Sequence, residues 1–169
     1  PSHGGFLYYE VLEMLQALAE RLGAPVILTA NARGLLHGHP LAIPASPSLP
    51  PLRAMIRAAD RLLVLGSELG PTDWDIYADG AVPDTSGMIR VDIDAAQLAR
   101  HPAALTIEGD VAEILPHLTR TRPAADGPGR AAKARAAARE ALPPGYGAEV
   151  AILETLRDAC PGAIMVGDS

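Results

Sequence analysis

Between residues 8 and 22, Val11, Leu12, Leu15, Leu18, Ala19 and Leu22 recur at three- and four-residue steps, while Glu10, Glu13, Gln16 and Glu20 take the other side. That period predicts an amphipathic helix, and Gly23 is the kind of residue at which such a helix stops. Pro25 leads into Val26, Ile27, Leu28 and Thr29, a short aliphatic run that predicts a buried strand. Residues 31–51 are rich in Gly, Pro and Ser and read as an extended loop. Pro50 and Pro51 then open a helix at the end where proline is tolerated, with Leu52, Met55, Ile56 and Ala59 as its apolar side. The run Leu62, Leu63, Val64, Leu65 is aliphatic at every position and closed by Gly66, as for a strand buried on both faces.

After a loop holding Pro71, Trp74, Tyr77 and Gly80, residues 88–94 alternate apolar with polar, ahead of a short helix over 95–100. Leu105, Thr106 and Ile107 predict a further strand, and Asp110 stands where it can cap a helix running to Leu118. Val111, Ile114, Leu115 and Leu118 mark the buried side of that helix. The chain turns polar and Pro-rich over 121–126, a linker pattern. Residues 129–142 are Ala/Arg-rich, helical by propensity but poor in large apolar side chains. Pro143, Pro144 and Gly145 break this helix, and a last amphipathic helix with Val150, Leu153 and Leu156 precedes a strand-like run at Ala163, Ile164, Met165 and Val166. There is no internal repeat. Strand, helix and strand alternate over the first 120 residues, which predicts an α/β fold: a Rossmann-like, doubly wound parallel sheet with helices on both faces.

Composition narrows the function. Hydrophobic residues make up 49% of the 169 but aromatics only 4%, so the core must be aliphatic. A formal charge of −6 leaves no bulk basic surface for nucleic acid. No apolar run reaches the roughly 18 residues of a membrane span, and no signal-peptide pattern appears, so a cytoplasmic protein is expected. The single cysteine, Cys160, excludes an intramolecular disulfide and a Cys-rich zinc site, and reads as a buried or idle thiol. The terminal strand has no following element to cover it, so the chain is expected to be a piece of a longer protein.

Doubly wound sheets bind ligands at the carboxyl ends of their strands, and three predicted strand ends carry suitable groups. Gly66, Ser67 and Glu68 offer backbone amides. Asp92 and Asp94 could accept hydrogen bonds from ribose hydroxyls, and Gly109 with Asp110 forms the next turn into a helix. The same residues also suit tight turns and helix caps, and no G-x-G-x-x-G fingerprint follows any strand. Hydrolase and zinc-protease motifs are absent. His37 and His39 could form a metal pair but lack a carboxylate cluster nearby in sequence. Asp73 and Asp75, around Trp74, read as turn formers. The basic series Arg130, Lys133, Arg135 and Arg139 lacks aromatics for base stacking and reads as a solvated helix.

The order of several phrases carries a resemblance. The helix ending Leu18-Ala19-Glu20-Arg21-Leu22-Gly23-Ala24-Pro25 leads to a strand, then to Ala32-Arg33-Gly34-Leu35-Leu36 and His39-Pro40-Leu41. Next come Ala59-Asp60-Arg61 with the strand to Gly66-Ser67-Glu68-Leu69, Ile89-Arg90-Val91-Asp92-Ile93-Asp94, and Ile107-Glu108-Gly109-Asp110. Over residues 4–118 this resembles the central domain of the thiamine-diphosphate-dependent enzymes, a group that includes acetolactate synthase, pyruvate oxidase, benzoylformate decarboxylase and oxalyl-CoA decarboxylase.

The resemblance implies a parent of three α/β domains. The outer two bind thiamine diphosphate and Mg2+ and hold the catalytic residues. The central one is a six-stranded buttress, which in some members holds FAD or ADP. It further implies a central domain over 1–121, an interdomain connection over 122–147 with the Ala/Arg-rich helix, and the first helix and strand of the diphosphate-binding domain over 148–169. A homo-oligomeric parent acting as an acetolactate synthase-like 2-oxo acid decarboxylase or carboligase (a lyase or transferase) is expected, with the remaining domains as partners.

The departures define what this piece should lack. The activating glutamate belongs to a domain outside the chain, and the Gly-Asp-Gly…Asn metal–diphosphate motif is absent, since Gly167-Asp168 lies too early to be it. No catalytic or metal residue is therefore assigned, and no cofactor is expected in the chain itself. Gly4 and Gly5 stand almost at the start, so the family's first central strand is expected to be missing. Residues 44–51 lack the Gly-rich phrase of flavin-binding members. The alternative is a freestanding Rossmann-like nucleotide-binding or hydrolytic α/β protein.

Overall fold

The computed structural model describes residues 4–71, 84, 86–118 and 126–163, with side chains from residue 11 onward. Helix α1 spans Gly4–Leu22 and ends where Gly23 takes a left-handed φ of 56°. Strand β1, Val26–Ile27, follows, then a 3-10 turn over Ala30–Ala32, β2 over Arg33–Leu36 and β3 over Ala42–Ile43. Helix α2 is Pro50–Arg57 and β4 is Leu62–Leu65. After β5, Met88–Asp92, come the single-turn α3, Ala95–Leu98, and β6, Leu105–Glu108. Helix α4, Val111–Ile114, passes into a 3-10 turn over Leu115–His117. Two 14-residue helices close the described chain: α5, Gly127–Glu140, and α6, Tyr146–Ala159.

The fold is α/β and Rossmann-like, with parallel pairing throughout the described ladders. β1 pairs with β3, Val26 opposite Ala42 and Ile27 opposite Ile43. β4, β5 and β6 lie side by side in sequence order, with Leu65 opposite Val91 and Asp92 opposite Glu108 at their carboxyl ends. Parallel neighbours require crossovers, and α3 supplies the one between β5 and β6, lying against both strands. Two aliphatic clusters hold the layers. One joins Ile43, Leu49 and Leu52 to Ala131, Ala134 and Ala138; the other gathers Ile56, Val64, Leu69 and Met88. Ile27 touches both, so β1 ties the two ladders into one body.

Several expectations change. The stretch read as a loop over 31–51 contains β2 and β3. A two-residue strand shows no period, and Ala42 and Ile43 are recognisable only by their complete burial. Residues 88–94 do not form a half-exposed strand. The strand ends at Asp92 and is buried on both faces, Arg90 and Asp92 included, because helices cover a parallel sheet on both sides. The helix after Asp110 stops at Ile114, since Pro116 offers no amide and its ring opposes continuation. The Ala/Arg-rich helix is solvated on its basic side only, its alanine stripe being core. Cys160 is exposed. Asp73, Trp74, Asp75, Tyr77, Gly80, the linker over 121–125, the strand at Ile164, Met165 and Val166, and Gly167-Asp168-Ser169 lie outside the described residues. No described helix is long and apolar enough to cross a membrane.

Candidate functional site

The three groups of candidate residues meet at one place. Gly66, Ser67 and Glu68 follow β4, Asp92 ends β5 with Asp94 just beyond, and Gly109 with Asp110 follows β6. Because the three strands are adjacent and parallel, these residues share the carboxyl edge of one sheet.

Their polar groups are engaged locally. The Gly66 amide donates to the Val91 carbonyl at 2.9 Å, and the Gly109 amide to the Asp92 carbonyl at 3.0 Å, so both extend the strand ladders. Gly66 adopts a left-handed φ of 58°, and Gly109 lies so close to Ile114 that a Cβ would stand 2.9 Å from its side chain. Ser67 Oγ accepts from the Leu69 amide at 3.2 Å. Glu68 accepts from Arg100 at 2.9 Å in an exposed pair, of a kind worth little in water. Asp92, buried, accepts the Asp94 amide at 3.0 Å. Asp94 and Asp110 cap α3 and α4, each accepting at 2.8 Å from the amide two residues on.

Arg90 organises this edge, and pattern reading missed it. Its side chain, 1% exposed, reaches from β5 to the turn after β4 and to the end of α3. Nη2 donates to the Ser67 carbonyl at 2.8 Å and Nη1 to the Gln97 carbonyl at 2.7 Å. Burial lowers the guanidinium's pKa from its ordinary value; the Asp92 carboxylate opposes that shift and Arg100 adds to it. Among the described residues Nε has no partner. The available signal was an arginine inside a strand whose other residues are core, since such a charge must be paired internally. A second buried arginine, Arg53, donates from Nε to the Ser48 carbonyl at 2.9 Å beside the Ser46–Ser48 hydroxyl pair, fixing the turn into α2.

His37 and His39 do not come together as ligands. His39 Nδ1 accepts from the Leu41 amide at 3.2 Å, so Nε2 carries the proton toward Glu20 Oε1, 3.0 Å away. That bond, with one from Gln16, holds the Glu20 carboxyl below its usual range. His37 is exposed. No group of three or more His, Cys, Asp and Glu side chains among the described residues could hold a metal. A shallow hollow of about 180 Å³ lies between the end of α5 and the start of α6, lined by Arg139, Leu142, Pro143, Pro144, Gly147 and Val150. It includes none of the strand-end residues.

Residues 3–118 match the family model for the central domain of thiamine pyrophosphate enzymes. The chain belongs to that family. As a thiamine-diphosphate enzyme domain it is similar to a probable 2-ketoarginine decarboxylase of Pseudomonas aeruginosa, 34% identical over 161 residues that cover 91% of this chain and 28% of the relative. An acetolactate synthase of Mycobacterium leprae is 31% identical over 119 residues, covering 68% of this chain and 19% of that protein. The fold also matches an X-ray structure from Mycobacterium smegmatis assigned as a thiamin diphosphate-dependent enzyme. The TM-score is 0.55 at 24% identity, over 69% of this chain and 23% of that one. The chain thus spans less than a third of the length of these relatives. Its likeness to the Pseudomonas protein runs past residue 118, into the region of α5. Among the described residues, those at the strand ends do not fit the metal–diphosphate end of thiamine diphosphate: Asp92, Asp94 and Asp110 accept backbone amides, Glu68 pairs with arginine, and no acidic cluster could hold a metal.

Proposed function

We propose that this chain is the architectural central domain of a larger thiamine-diphosphate-dependent 2-oxo acid decarboxylase or carboligase, a lyase or transferase. Residues 1–121 form that domain, 122–147 the connection, and 148–169 the start of the diphosphate-binding domain. Thiamine diphosphate and Mg2+ bind in the parent's other domains, and the parent is a cytoplasmic homo-oligomer. The observation that carries this reading is the family match over 3–118 in a chain whose strand-end side chains are committed to structure. The longer match to the 2-ketoarginine decarboxylase relative favours a 2-oxo acid with a cationic tail over pyruvate as the parent's substrate.

The reading is tested by assaying the purified chain with thiamine diphosphate, Mg2+ and either pyruvate or 2-ketoarginine. No CO2 release above the buffer rate is expected. Turnover by this chain alone would refute the assignment of the chemistry to other domains. A parent that turns over pyruvate but not 2-ketoarginine would refute the substrate class only.

A further inference from the structure

We infer that the carboxyl edge of β4, β5 and β6 takes no nucleotide, because its two turn glycines, the capping carboxylates of α3 and α4 and the buried Arg90 already have internal partners. In a doubly wound sheet this edge binds a diphosphate through free backbone amides and a helix N-terminus that attracts negative charge. Here six amides at the edge are spent internally. Gly66 and Gly109 donate to strand carbonyls. Leu69 donates to Ser67 Oγ, Asp94 to Asp92, Ala96 to Asp94 and Ala112 to Asp110.

The two helix N-termini at this edge belong to α3 and α4, four residues each, and both already carry a carboxylate in the cap position. A diphosphate entering there would meet Asp94 and Asp110, so like charges oppose it. Of the two arginines at this edge, Arg100 is paired with Glu68, and Arg90 is turned inward, spending both terminal nitrogens on the carbonyls of Ser67 and Gln97. It thereby ties the β4 turn, β5 and the end of α3 together. This holds whichever reaction the parent carries out.

The experiment is a calorimetric titration of the folded chain with ADP and with FAD, paired with thermal melts of Arg90→Met and Arg90→Lys followed by circular dichroism. No binding is expected for either nucleotide up to millimolar concentration, and saturable micromolar binding of either would overturn the inference. Arg90→Met is expected to lower Tm by about 10 °C, on the scale of a few degrees per kcal/mol for a domain of this size. Arg90→Lys keeps the charge, cannot span both carbonyls, and is expected to fall between the two. If Arg90→Met does not fold, the lysine variant decides: a lowered Tm supports the internal tie, and a melt superimposable on the unsubstituted chain overturns it.

Discussion

Helices α5 and α6 have the same length, 14 residues, and opposite fates. α5 has alanine as its main apolar residue, yet Ala131, Ala134 and Ala138 are buried against Ile43, Leu49 and Leu52. α6 carries Tyr146, Ile152, Leu153 and Leu156, and each of these is 47% to 59% exposed. Side-chain bulk therefore does not decide which helix joins the core. Small residues let α5 approach closely, to the point that a Cβ on Gly127 would collide with the Gly23 carbonyl. Arginines then anchor its rim: Arg130 donates to the Gly23 carbonyl, and Arg135 to those of Pro40 and Ala42, at 2.9 and 2.8 Å. The two helices are joined by a bidentate pair between Arg139 and Glu154.

The contrast can be broken most directly at Ala131, which is fully buried. Replacing it with leucine should destabilise the chain by about 1–3 kcal/mol through overpacking, read as a lowered midpoint in urea unfolding. A midpoint unchanged by Ala131→Leu would mean that α5 is a free tether. Leu153→Gln on α6 should change stability by no more than about 0.5 kcal/mol, as for a surface site. A loss of several times that would reveal a hidden partner for the apolar face.

The smallest effect sharpens the link between the helices. Hydrogen bonding to Arg139, chiefly, holds the Glu154 carboxyl below its ordinary value, while the same pair raises Arg139. A depressed folded-state pKa stabilises above the unfolded value, and that contribution disappears as pH falls through the folded one. Carboxyl NMR should show Glu154 titrating below an ordinary glutamate, and Arg139→Ala should return it toward that range. Because the pair lies at the surface, the melting temperature should hardly follow. An Arg139→Ala titration identical to that of the unsubstituted chain would dissolve the pair in solution.

Much of this was readable beforehand, for physical reasons that differ by element. β4 announced itself because four consecutive aliphatic residues before a glycine suit little else, and Asp94 and Asp110 lie where capping carboxylates belong. β3 escaped because two residues set no period; α5 was read as a helix, but not its buried side, because alanine says nothing about which side faces the core until its partners are known. At the candidate edge, the residues read from the sequence lie together, but their double suitability for turns and for ligands could not be resolved along one dimension. Arg90 could be suspected from its place in a core strand, but what it binds could not be read. Its partners, Ser67 and Gln97, are backbone carbonyls, which every residue possesses.

The docking of α5 bears on the order of events during synthesis. Arg130 and Arg135 bond to residues that left the ribosome 107 and 93–95 positions earlier. Until α5 emerges, Ile43, Leu49 and Leu52 have one flank uncovered. These long-range contacts form late, since the intervening chain must first be ordered. The N-terminal half is thus made early and completed late, and the alanine helix is the segment that seals it.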